Sequence, residues 1–145
     1  MILSPHFSLA EMLESQTARR KRITEQFSPP AEVIENLKAL CTHILVPLRI
    51  EIGKPIGISS GYRCAKLNRA IGGAKNSQHV LGQVADLKAT WMTHASLFHT
   101  IQEMKLPFDQ LIWEYGNKEE PAWVQLEKLE LAHPQKEFGK KELEY

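Results

Sequence analysis

The sequence predicts an α+β domain in which N-terminal helices pack on a small antiparallel sheet. Three observations carry this. Apolar residues recur at helical spacing through the first third of the chain, in Val33, Leu37, Leu40, Cys41, Ile44, Leu45 and Leu48. Short β-type runs come later, interleaved with helical stretches. The last two, Phe108 to Tyr115 and Trp123 to Leu129, face each other across a Gly116–Pro121 connection as a hairpin.

Taken in order, Ser8 and Glu11 have capping-box spacing and open a short helix ending near Ser15. A polar linker is expected next. Ser28 as N-cap and Pro29 at the first helical position start the long apolar helix, and Pro47 should kink or break it. Ile56 to Ser59 reads as a strand, Cys64 to Ala70 as a compact helix stopped by Gly72-Gly73, and Gln83 to Leu87 as a second strand. Thr93 to Lys105 is an amphipathic helix with Leu97, Phe98, Ile101 and Met104 on one face. Residues 1–132 form one domain on this reading. Residues 133–145 form a Lys- and Glu-rich tail that is expected to fray.

With 145 residues, one domain buries about two-thirds of its unfolded surface. A net charge of +1 gives no general reason to expect nucleic-acid binding, although Arg19-Arg20-Lys21-Arg22 is a local basic cluster. Two cysteines, Cys41 and Cys64, are too few for a disulfide framework and point to free thiols. The N-terminus shows no basic and apolar signal pattern, and no stretch reaches the length of a membrane-spanning helix. The sequence therefore predicts a cytoplasmic product, a monomer without a membrane span, released to the cell wall if it acts there.

Residues suited to chemistry gather in two strings, Ser59-Ser60-Gly61-Tyr62-Arg63 and Asn76 to Asp86. The second holds an imidazole, His79, and a carboxylate, Asp86, with Gly82 between them where a sharp reversal lets both point at one place. Both are ordinary zinc donors. Arg63 follows a strand, where its planar fork can grip a carboxylate. A loop His capping a turn and an Asp capping a helix produce the same string, so the pair alone leaves both readings open.

The wider pattern Ser-x-His-x-x-Gly-x-x-x-Asp is preceded by Ser60-Gly61-Tyr62-Arg63 and by Leu67-Asn68-Arg69-Ala70-Ile71-Gly72-Gly73-Ala74. It resembles the D-Ala-D-Ala carboxypeptidase family of zinc peptidases, in the short branch of phage and prophage endolysins. The likeness runs from Phe7 through Glu114. It implies a Hedgehog/DD-peptidase-like fold, zinc held by His79 and Asp86, and a peptidoglycan peptide gripped by Arg63 with Ser77 nearby.

The resemblance also implies a later strand with an acid as general base and, three residues on, a His as third zinc ligand. Here Ala122 stands at the acid position and Gln125 at the His position. An amide is a poor zinc donor and alanine carries no proton, so the two changes argue for lost or altered catalysis. Glu114, Glu119 and Glu120 are the alternative bases, with Glu127 and His133 as alternative ligands. Three functions follow: a zinc peptidase acting on D-alanine cross-bridges, an inactive module binding wall peptide or a protein partner, and a structural component of a phage particle.

Overall fold

The computed structural model describes residues 1–114, 117–119, 121, 123–127 and 140–143. A two-stranded ribbon, β1 (Ile2–Ser4) and β2 (Phe7–Ser8), leads into α1 (Leu9–Leu13). The expected capping box closes this helix at Ser8: its Oγ accepts from Glu11 N at 3.2 Å, and Glu11 Oε1 accepts from Ser8 N at 3.1 Å. The polar stretch after it is not a linker. Ser15 caps a second short helix, α2 (Gln16–Arg20), and a 3-10 turn spans Thr24–Phe27. Their polar faces hid them from a reading based on apolar periodicity.

The long helix starts later than expected. α3 is Ala31–Leu40 with Pro30 at the N-cap, not Ser28. Pro29 directly precedes a proline, whose ring disfavours helical backbone at the residue before it, so the first helical position falls after Pro30. The break expected at Pro47 is spread over the preceding turn. Cys41–Leu45 widens into a π-turn, and α4 (Val46–Ile52) resumes with Pro47 in its first turn, where a missing N–H costs little.

β3 (Gly57–Ser60), α5 (Ala65–Ala70), a 3-10 turn at Gln78–Leu81, β4 (Val84–Lys88) and α6 (His94–Met104) follow. β5 (Gln110–Glu114) and β6 (Trp123–Glu127) then pair as the expected antiparallel hairpin. The main sheet has the order β3-β4-β6-β5-β7, antiparallel except for β7 (Lys140–Leu143), which runs parallel to β5. Part of the segment expected to fray is thus an edge strand. Pairing satisfies the outer row of backbone groups on β5. The α+β class with helices on an antiparallel sheet is the architecture found.

Alternation divides the sheet into two faces. Ala85, Leu87, Leu111, Trp113, Val124 and Leu126 join Leu37, Leu40, Ile44, Leu45 and Leu48 of the α3–α4 region and Leu97, Phe98 and Ile101 of α6 in one core. The opposite face carries Asp86, Glu114, Gln125 and Glu127. Among the described residues, no helix is long and apolar enough to cross a membrane.

One polar side chain sits inside this apolar assembly. Gln26, in the 3-10 turn, is fully buried. Its Nε2 donates to the carbonyls of Leu13 and Tyr62, both at 2.8 Å, and its Oε1 accepts from Cys64 N at 2.8 Å. One amide therefore ties the end of α1 to the loop after β3. Gln26→Leu strands three buried partners at about 1–3 kcal/mol each, with partial relaxation. We expect a loss of about 2–5 kcal/mol in urea unfolding. The exposed Gln16→Leu should change stability by less than about 0.5 kcal/mol, and equal effects from the two would contradict this assignment.

Candidate metal centre on the polar face of the sheet

β3 ends at Ser60, and the chain turns through Gly61 to Arg63 before α5 begins. Gly61 is required by proximity. A Cβ there would lie 2.6 Å from the Met12 carbonyl oxygen, below any ordinary contact. Tyr62 N donates to that same carbonyl at 2.8 Å, which holds the turn against α1. The turn presents the Gly61 carbonyl to His79, whose Nδ1–H donates to it at 2.6 Å. A carbonyl only accepts, so this bond puts the proton on Nδ1 and aims Nε2 at the sheet.

His79 comes from the 3-10 turn that Ser77 caps. Ser77 Oγ accepts from His79 N at 3.2 Å and from the Arg63 guanidinium at 3.1 Å. Arg63 N donates to the His79 carbonyl at 3.0 Å, so the Arg63 and His79 segments brace each other. Burial lowers the Arg63 pKa and the Asp86 charge raises it, and a guanidinium stays protonated in either case. Its Nε is buried without a hydrogen-bond partner. Gly82 then reverses the chain at φ +73°, packed on Val33 and Leu37, and β4 begins. The reversal expected between His79 and Asp86 is there: His79 Nε2 and Asp86 Oδ2 are 3.4 Å apart, and both side chains are buried.

Across the sheet, Asp86 pairs in register with Gln125 of β6. With its amide nitrogen turned toward the carboxylates, Gln125 donates to Asp86 Oδ1 at 3.0 Å and to Glu114 Oε1 at 3.3 Å. The reverse orientation would set an amide oxygen against two carboxylate oxygens, so the donating orientation is the one the neighbours require. Glu114 and Gln125 sit diagonally on adjacent strands, on one face, which brings the long side chains together.

The structure therefore gathers Arg63, Ser77, His79, Asp86, Gln125 and Glu114. The other residues named from the sequence do not join them. Glu119 is exposed beyond β5. Glu127 is buried but pairs with Val84 and Gln110, one alternation away from Asp86. Ala122, Glu120 and His133 lie outside the described residues. His94 holds the backbone, with contacts to Ala89 N at 3.4 Å and the Pro121 carbonyl at 3.2 Å. Cys41 is buried away from solvent, which pushes its thiol up to about 12.

A catalytic zinc takes three protein donors and leaves one position open. Among the described residues no three His, Cys, Asp or Glu side chains converge as a metal site. In its donating orientation Gln125 presents an N–H where a third lone pair is needed, so the described residues do not complete such a site. Sequence reasoning missed Gln26 and the Gly61 carbonyl as organisers of this centre. A backbone acceptor carries no side-chain signal, and Gln26 lay in a stretch read as linker.

The close approach at Gly61 leads to a direct expectation. Gly61→Ala must displace the turn from Met12 and lengthen the bond to His79. Overpacking of this kind costs about 1–3 kcal/mol in stability. A long-range proton–nitrogen spectrum of the variant should show the loss of a single Nδ1–H form at His79, and an unchanged spectrum with unchanged stability would contradict the geometry.

No curated protein matches the chain. A sequence profile for Peptidase M15 matches residues 5–119. That span holds Arg63, Ser77, His79, Asp86 and Glu114 and stops before β6, the strand with Gln125. The chain belongs to the Peptidase M15 family of zinc peptidases.

Proposed function

We propose that this chain is a peptidase-derived module that holds a peptide in the groove across its sheet without hydrolysing it. The observation that carries this is Gln125. Its amide nitrogen occupies the place between Asp86 and Glu114 and satisfies both carboxylates by hydrogen bonds. A buried pair of carboxylates is costly unless something positive or donating sits between them. Here the donor is neutral and covalently part of β6, so the cluster is stable with no ion. It offers no activated water in this state.

The peptide-holding half of the site supports retained binding. The Arg63 guanidinium is anchored on Ser77 and has an unpartnered buried Nε. An anchored fork with a free donor suits a peptide carbonyl or terminal carboxylate. Following the family, the peptide class is a D-alanine-ended stem of the bacterial wall.

Two measurements test this reading. Elemental analysis of the purified chain should find zinc well below one ion per chain. Gln125→His should raise it toward one, because the substitution removes the bridging donor and supplies a third donor, an imidazole nitrogen. Stoichiometric zinc in the unmodified chain would overturn the proposal. Calorimetry with diacetyl-L-Lys-D-Ala-D-Ala should detect binding without release of D-alanine, and Arg63→Ala should weaken it roughly tenfold, as loss of a charge-assisted contact does. Release of D-alanine by the unmodified chain would sink the claim of a non-hydrolytic module.

A further inference from the structure

A cavity of about 400 Å³ opens beside this centre, bounded by α2, β3 and α5. It is within the size range of ligand sites. Ile58, Ser59 and Ser60 all line it, although neighbours in a strand point to opposite faces. The cavity therefore abuts the backbone edge of β3. β3 is the first strand of the sheet, bonded on one side to β4. On its other side no strand is hydrogen-bonded among the described residues.

The charge around this edge is one-sided. Arg63 stands just past one end of β3, and Lys88 pairs in register with Gly57 at the other. Arg20 faces the same space from α2. The acid in the lining, Glu14, is already taken: its carboxylate receives two bonds from Arg19, at 2.9 and 3.1 Å. Arg19 also lies over the Phe27 ring, 4.8 Å from its centre. The basic cluster of the sequence is thus split, with Arg19 in a structural role and Arg20 left to the cavity. Arg20 and Lys88 make no ion pair among the described residues.

We infer that the free edge of β3 binds an extended acidic peptide segment as an added strand. Its backbone would pair with Gly57–Ser60, a span of about 13 Å at a strand's rise per residue. Alternate carboxylates would meet Arg20 and Lys88, and the side chains between them would lie on Ile58, Leu67 and Ile71. The segment would extend away from Arg63. The site takes a longer ligand than the groove on the sheet requires and selects it by charge. This rests on the reading that the chain holds peptide, and adds a second subsite with its own residues.

The probe is the capped hexapeptide acetyl-Val-Glu-Val-Glu-Val-Glu-amide, titrated into the full chain and followed by amide chemical shifts. Shifts should centre on Gly57–Ser60. Arg20→Glu and Lys88→Glu should each weaken binding roughly tenfold, because attraction becomes repulsion. Both residues are exposed, and the same spectra report whether each variant is folded. Replacing the Glu residues with Lys should abolish binding, and N-methylation of alternate peptide nitrogens should weaken it at least tenfold by removing ladder bonds. An N-methylated or Lys peptide that binds as well as the Glu peptide overturns the inference, as does tripolyphosphate binding that responds to Arg20→Glu while the hexapeptide does not. Hexapeptide binding without diacetyl-L-Lys-D-Ala-D-Ala binding removes only the Arg63 reading. The converse removes only this one.

Discussion

The hydrogen bond from His79 Nδ1 to the Gly61 carbonyl, 2.6 Å long, is the constraint on which the rest of the centre depends. It sets which ring nitrogen faces the sheet. It also requires the backbone at Gly61 to sit closer to α1 than any side chain permits. That approach depends in turn on Gln26, whose buried amide bridges Leu13, Tyr62 and Cys64. A chain of backbone carbonyls and one glutamine thus places an imidazole, and residues distant in sequence are fixed by groups that have no chemistry of their own. Such organisers are as necessary to a site as the side chains that face the ligand.

On the polar face of the sheet a hydrogen-bond network links residues of three strands. Asp86, Gln125 and Glu114 lie on three adjacent strands, and Gln125 is in the middle. In a low-dielectric setting two carboxylates demand a compensating group. An amide nitrogen meets that demand at lower strength than a dication but without any dependence on metal supply. His79 and Asp86 retain a structural reason to exist, since each is tied into the network around the turn at Gly82. Retention of ligand-type residues therefore does not by itself imply a working metal centre.

The two regions around Arg63 divide the surface by chemistry. On the sheet, the groups are two carboxylates, the amide that donates to them and an imidazole carried by the loop that follows α5. Along the edge of β3, the groups are backbone with no strand paired to it among the described residues, and cations. Arg63 stands at the junction, anchored on Ser77 and adjoining both. Proteins of this architecture commonly blunt an edge strand by covering it or charging it. Here the one acid, Glu14, is paired with Arg19 and the remaining charges around the cavity are cations, which favours a ligand of opposite charge over simple protection.

Local elements were legible in the sequence wherever a short-range rule governs them. The Ser8–Glu11 capping box, the α6 stripe, the hairpin and the left-handed turn at Gly82 each follow from a few adjacent residues. The family resemblance, carried by Ser77, His79, Gly82, Asp86 and Arg63, singled out residues that the fold brings together as a candidate centre. The helix start after Pro30 was also written locally, in the restriction that one proline places on another. Tertiary structure alone decided the rest. Whether Gln125 serves as ligand or donor depends on what lies across two strands, and Glu114 entered the centre because the β5–β6 register set it diagonally opposite. Gln26 gave no periodic signal, and the cationic edge of β3 joins residues from three separate elements. Pairing register and long-range burial are set by the whole packed chain, so a string of side chains names the chemistry available while only the fold determines which groups meet.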